Sequence, residues 1–342
     1  MNLVTGASGI LGSHVVLELL RQNQAVRACK RPNSNMDPIK RLFALHFQDW
    51  EKQFEKINWT DLDVCDLFAV EEALEGIDTV YHCAGMVSFR ASDREQLFRV
   101  NEGGTRNMVN ACLQRKGIRL CHVSSIAAIN NSDHRGILHE GVFWKRSGRE
   151  NDYTLSKYNA EREVWRGLEE GLNAVILNPG VILAPALWNH SSSMLIQAAS
   201  GNRPFYTSGT SAYVAAEDVA RIMYRLVNEG RFGERFIVVE NNYPYRRILE
   251  TMHKAFAFKS NMYAIPYPLL RCFALLESLW CLFSGKPARL NTALIRAAYN
   301  RQTYSNEKVK STLQYEFIPI EPYLEKRCKM YQLGPERPAS MA

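Results

Sequence analysis

The chain has no C-x-x-C pair and no Cys/His cluster at metal-ligand spacing, although it carries eight cysteines: Cys29, Cys65, Cys83, Cys112, Cys121, Cys272, Cys281 and Cys328. A structural zinc site, a disulfide framework and a resident metal are therefore not expected, and several of these cysteines sit in apolar runs as small hydrophobes. No basic block exceeds a few residues, because the 42 Lys/Arg and 35 Asp/Glu behind the formal charge of +7 are spread along the sequence. That distribution gives no footprint for nucleic acid. Internal repeats and low-complexity tracts are absent. The N-terminus begins with a core strand and not a cleavable signal, and with free thiols this predicts a cytoplasmic protein.

A long apolar run is also lacking. Leu269–Phe283 is the nearest approach, but its fifteen residues would span roughly 22 Å as a helix, and Arg271 and Glu277 interrupt it. The stretch reads as a helix packed on the core or at a dimer seam; an interfacial membrane anchor and a cover over a bound apolar substrate are the alternatives.

What the chain does have is 342 residues with 46% hydrophobic composition, enough for one large domain or two modest ones. Apolar periodicity alternates between strand and helix, the pattern of a parallel sheet covered on both faces. Strands are predicted near Leu3–Thr5, Ala25–Cys29, Phe54–Trp59, Thr79–Cys83, Arg119–Ser124, Ala174–Asn178 and Arg235–Val239. Helices are predicted over Glu95–Gln114 and Tyr153–Glu170, with another starting at Glu217 or Asp218. Lys30–Asp37 and Asn130–Arg149 read as loops, placed where open α/β sheets bind ligands.

The strand Leu3–Thr5 runs into Gly6-x-x-Gly9-x-x-Gly12, and a helix with Leu11, Val15, Val16, Leu19 and Leu20 on one face follows. Such a turn aims backbone N–H groups and a helix dipole at one spot, which suits a dinucleotide's pyrophosphate. A second constellation lies far downstream. Ser124-Ser125 ends an apolar run, and Tyr153 and Lys157, four apart, share a helix face. A cation beside a phenol lowers a pKa normally near 10 by about 1–3 units, as proton transfer during hydride chemistry requires.

These residues, in order with Asp63-Val64, His82-Cys83-Ala84-Gly85, Asn101, Gly104-Thr105, Asn107, Asn178-Pro179-Gly180, Tyr213-Val214 and Asp218-Val219-Ala220, resemble the extended short-chain dehydrogenases/reductases. That group is also called the NAD-dependent epimerase/dehydratase family, and the resemblance covers most of the chain. It implies a doubly wound parallel sheet, the Rossmann fold, with a smaller interleaved C-terminal substrate lobe. The dinucleotide domain would be residues 1–182 with a return segment at about 212–240. The lobe would be 183–211 and 241–335, and 336–342 a tail.

The resemblance further implies that Ser125, Tyr153 and Lys157 are catalytic, with Asn101 ordering a water or bracing the site. It puts the cofactor against Gly6, Ser8, Gly9, Ile10, Leu11 and Gly12, against Asp63 and Val64 at the adenine, and against Cys83, Ala84, Gly85, Tyr153, Lys157, Pro179 and Val181. His82 reads as a satisfied core histidine. Two departures stand out, Asn178-Pro179 for the usual Arg-Pro and Ala184-Pro185 for Gly-Pro. The family often forms homodimers, so a homodimer is expected.

The end of the second strand bears on the cofactor. Lys30-Arg31 follows Cys29 with no acidic residue until Asp37, which favours NADP(H) over NAD(H). Ile126 and Ala127 stand where sugar-nucleotide dehydratases need an Asp-Glu pair, so dehydration is disfavoured. The apolar, aromatic stretch Tyr263–Phe283 points to a substrate less polar than a nucleotide sugar. An NADP(H)-dependent oxidoreductase acting on a small, fairly apolar carbonyl or alcohol fits these features, near the dihydroflavonol-4-reductase branch. A nucleotide-sugar epimerase and a non-catalytic NADP(H)-binding sensor are the alternatives.

Overall fold

The computed structural model describes residues 1–130, 132–146, 148, 150–189, 192–259, 261–284 and 292–334, without the side chains of 278, 282–284 and 293; the expected tail at 336–342 lies outside them. Seven parallel strands form the central sheet: β1 (Asn2–Thr5), β2 (Val26–Lys30), β3 (Asn58–Asp61), β4 (Thr79–His82), β5 (Arg119–Val123), β6 (Asn173–Pro179) and β7 (Glu234–Val238). Their spatial order is β7-β6-β5-β4-β1-β2-β3, so chain direction across the sheet reverses between β1 and β4. That crevice, at the strands' C-terminal ends, is where a doubly wound sheet binds ligands. The inner strands are buried and mostly apolar because helices cover both faces, whereas the edge strand β3, Asn-Trp-Thr-Asp, is not.

On one face, α1 (Ile10–Arg21) packs against Ala216–Asn228 through Val15, Val16, Leu19, Val219 and Met223. On the other, Gly104–Leu113 and Asp152–Glu169 bury Met108, Val109, Ala111 and Val164 over Leu120 and Ile176.

Three expectations shift. Trp50–Glu55 is helical and the third strand starts only at Asn58, because Phe54 turns inward against Phe43 and Trp59, at ring separations of 5.4 and 5.3 Å. The helix expected over Glu95–Gln114 is broken by a π-turn at Arg99–Gly103. Of the return segment, only β7 joins the central sheet. Thr210–Ala215 instead pairs with Val181–Leu183 and Asn241–Pro244 in a separate three-stranded sheet.

This small sheet, with Ser193–Ala199, Tyr245–Ala255 and Ile320–Leu333, holds a core of its own around Leu183, Tyr213, Ile248, Met252 and Leu324. A buried pair, Arg327 to Glu217 at 2.7 Å, ties the last helix to Ala216–Asn228. His14 and His46 lie beside it, with ligand-type atoms of His14, His46 and Glu217 within 4.8 Å of one another.

Candidate active site

β1 hands over to α1 through Gly6, whose φ is +62°. A Cβ there would lie 2.9 Å from the backbone of Ala84, and one on Gly12 would lie 2.2 Å from the Gly6 carbonyl oxygen, so both positions exclude larger residues. Gly9 caps α1 without any side-chain bond, and no acidic residue occupies the first turn. The first N–H groups of a 12-residue helix therefore face the crevice.

A cleft of about 300 Å³ opens there. Gly6, Ser8 and Gly9 line it from the turn, Lys30 and Arg31 from the end of β2, Asp63 and Val64 from beyond β3, and Cys83, Ala84 and Gly85 from beyond β4. Ile10 and Leu11 begin the helix behind the turn. The cradle, the uncapped helix end and the two cations fit a nicotinamide dinucleotide.

The chain's other motif residues hold these segments in place. Thr105 donates its hydroxyl to the Asn101 carbonyl at 2.6 Å, so it accepts from His82 Nε2 at 3.2 Å. His82 Nδ1 is then the acceptor for Thr5 Oγ1 at 2.8 Å, and Thr5 in turn accepts the Ala84 N–H at 3.1 Å. His82 is thus a neutral relay of structure, its pKa pushed down to about 3 by burial and by Lys157. Asn107 donates to the Val64 carbonyl at 3.1 Å, and Gly104 leaves room for the Val64 side chain.

Asn101 sits in the π-turn, fully buried. Its Oδ1 accepts the Met86 N–H at 2.7 Å, while Nδ2 donates to the Met86 carbonyl at 3.0 Å and to Ser156 Oγ at 2.9 Å. It therefore braces the segment after β4 against the helix that carries Tyr153. A π-turn widens the helix locally and re-aims one side chain, which this three-way clamp uses.

That helix, Asp152–Glu169, is capped by Asn151, whose Oδ1 accepts the Thr154 N–H at 2.8 Å. The two serines divide their work. Ser124 Oγ donates to the buried Glu161 carboxylate at 2.7 Å, whereas Ser125 Oγ accepts the Ala127 N–H at 3.1 Å and lies beside the Tyr153 phenol. Phe89 packs edge-on against the Tyr153 ring at 5.6 Å. Lys157 Nζ donates to the Val123 carbonyl at 2.7 Å and lies 3.8 Å from where a Gly85 Cβ would be.

The electrostatics differ from the sequence expectation. Burial raises the Tyr153 pKa, opposed by the Ser125 hydrogen bond, so the phenol is held protonated instead of being lowered by a neighbouring ammonium. Lys157 is directed to the Val123 carbonyl, and burial brings its pKa down to about 8 against the opposing pull of Glu161 and Cys83.

Glu161 was not singled out in the sequence, although it follows Lys157 by one helical turn. It accepts from Ser124, from Asn178 Nδ2 at 2.8 Å and from Arg235 at 3.1 Å. Asn178 also donates to the Ser125 carbonyl at 3.0 Å, so it fixes the loop after β5 where the family commonly has arginine. Pro179 ends β6 and Val181 begins the small sheet, at the crossover into the lobe. Lys30 is paired with Asp61, an acidic partner also missed in the sequence, while Arg31 lines the cleft.

Tyr153 looks into a second cavity of about 630 Å³. Tyr245, Tyr267, Tyr299 and Tyr304 line it from the lobe together with Arg296 and Gln302, and Ile126, Ala127 and Glu150 line it from the other side. Tyr267 and Tyr299 meet edge to face at 5.2 Å. Tyr153 thus faces this cavity beside Ser125, while Lys157 approaches Gly85 at the edge of the dinucleotide cleft.

Residues 2–239 match the NAD dependent epimerase/dehydratase family. The chain is 30% identical over 285 residues to sterol demethylase protein B of Methylococcus capsulatus, covering 80% of each. It is 26% identical over 340 residues to cinnamoyl-CoA reductase 1 of Petunia hybrida, covering 96% of this chain and 91% of the relative. Its fold superposes on UDP-glucose 4-epimerase of Thermus thermophilus, solved with NAD, with a TM-score of 0.70 at 18% identity, covering 97% of this chain and 99% of the other. The chain belongs to the NAD-dependent epimerase/dehydratase family and is an NAD(P)-dependent oxidoreductase of the extended short-chain dehydrogenase/reductase type.

Proposed function

We propose that the protein transfers hydride between NADP(H) and a carbonyl or alcohol carbon of a small, fairly apolar substrate. The observation that carries this reading is Tyr153, set beside Ser125, on the wall of a cavity that four further tyrosines share with a few polar side chains. The tyrosine rings take up an apolar skeleton, and the polar groups of the lining orient the reacting oxygen. The nicotinamide, when bound, supplies or accepts the hydride.

Ser125 holds the substrate oxygen by its hydroxyl. Tyr153 gives that oxygen its phenolic proton in the reduction direction, and Lys157 binds the ribose hydroxyls and stabilises the resulting phenolate. A phenol kept protonated by burial and a lysine still charged at neutral pH suit reduction. Lys30 is engaged with Asp61, so Arg31 is assigned the 2′-phosphate of NADP(H), which a guanidinium can grip with two parallel bonds.

The relatives support this reading through their names, one a cinnamoyl-CoA reductase and one a sterol demethylase protein B. Steady-state absorbance with NADPH and NADH over a panel of apolar ketones tests it. Faster NADPH consumption with an aromatic or alicyclic ketone is expected. Interconversion of UDP-sugars without net cofactor consumption would replace it with an epimerase. A Tyr153→Phe protein that keeps its biological effect would replace it with a cofactor sensor.

A further inference from the structure

The helix Tyr267–Ser284 starts at the rim of the aromatic cavity, where Tyr267 is a wall residue. Instead of packing its apolar length on the core, it turns most of it outward. Six of the fourteen large hydrophobic residues exposed among the described residues lie on it: Leu269, Phe273, Leu275, Leu276, Leu279 and Trp280. Trp280 is 70% exposed and Leu276 63%. Leu269, Phe273, Leu276 and Trp280 follow one another at helical spacing and form a continuous outer ridge. Ala274 is buried on another side, and the helix packs against Thr292–Tyr299. Phe205 and Tyr263, 57% exposed each and adjoining at 6.4 Å, belong to the short strand pair that immediately precedes the helix and add to its apolar character.

Charge singles out the same stretch. From Lys254 to Arg301 the sequence holds seven Lys/Arg and a single carboxylate, Glu277, so +6 of the chain's formal +7 is concentrated in these residues. Among the described residues no helix is long and apolar enough to cross a membrane. The helix itself carries only Arg271 and Glu277 as charged residues, so its exposed apolar ridge ending in a tryptophan supplies the lipid contact and the surrounding cationic sequence the attraction to anionic headgroups. A second copy of this face would bring like charges together, whereas an anionic bilayer attracts them.

We propose that Tyr267–Ser284 docks the protein on an anionic lipid surface, with the Leu269, Phe273, Leu276 and Trp280 ridge immersed and the cavity rim held at the bilayer. Flotation of the full chain with vesicles tests this without any need for turnover, so its outcome is separate from that of the proposed reaction. The protein is expected to float with phosphatidylcholine vesicles containing phosphatidylglycerol, and about tenfold less with phosphatidylcholine alone or in high salt. Leu276→Asp combined with Trp280→Asp should abolish flotation while thermal melting and NADPH affinity stay unchanged. Arg271→Glu should weaken flotation on the anionic vesicles only, a readout that holds even if the double variant misfolds. Wild-type protein that stays with the soluble fraction on both vesicles would overturn the proposal. So would a double variant that floats like wild type, or one whose only change is from dimer to monomer in sedimentation.

Discussion

The cofactor end and the substrate end of the site are built in opposite ways. Around the dinucleotide cleft, backbone geometry and buried hydrogen bonds fix everything: Gly6 and Gly12 pass against neighbouring chain, and Thr5, His82, Thr105 and Asn101 form an unbroken chain of donors and acceptors. Around the substrate cavity, four tyrosines from separated segments of the lobe make the wall, next to a helix with its apolar side outward. The difference teaches what each end constrains. The cofactor end is held by backbone contacts and buried hydrogen bonds at the sheet, while the second cavity is lined by side chains drawn from separate segments of the lobe.

Substitutions at either end sharpen that contrast, starting with the largest effect. Tyr153→Phe removes the proton donor and should lower kcat about 10³-fold in steady-state assays, with NADPH affinity measured by fluorescence unchanged. Asn101→Ala breaks both bonds to Met86 and the one to Ser156. A loss of about 2 kcal/mol in denaturant unfolding is expected, with kcat falling as Tyr153 loses its brace. Tyr299→Ala should raise KM for an apolar ketone about tenfold and leave NADPH binding alone, since it removes only cavity wall. Arg31→Ala should reduce the NADPH over NADH preference about fivefold, a modest change because an exposed ion pair at the cleft mouth is screened by solvent. A large effect of Tyr299→Ala on NADPH binding would break the division between the two ends.

The two ends were also unequally legible in the sequence. Glycine spacing, the serine pair and Tyr153 with Lys157 are local patterns, and the structure gathers them at one crevice because strand ends converge there. Six of the seven central strands lie within a residue or so of their expected positions for the same reason. Phe54 misled as a strand residue because its apolar side chain serves a helix that packs on Phe43. The π-turn at Asn101 has no local signature, since it exists to let one amide reach Met86 and Ser156 from another segment. Glu161 was readable as a carboxylate one turn beyond Lys157, but its partners Ser124, Asn178 and Arg235 come from three separate strand ends. The tyrosine wall, drawn from residues 245 to 304, is wholly non-local. Leu269–Phe283 was legible as a helix, yet which way it faces depends on the lobe beneath it.

The central claim is that a protonated Tyr153 and a charged Lys157 together drive reduction. It is tested most directly by the pH profile of kcat/KM for NADPH-dependent ketone reduction. Lys157, with its pKa brought down to about 8, is a cation below that pH and neutral above it, while burial keeps Tyr153 protonated to higher pH. The expected profile is level through neutrality and falls above about pH 8. A rate that climbs with pH through and beyond this point would mean that the phenolate is the active form, and would contradict the assignment.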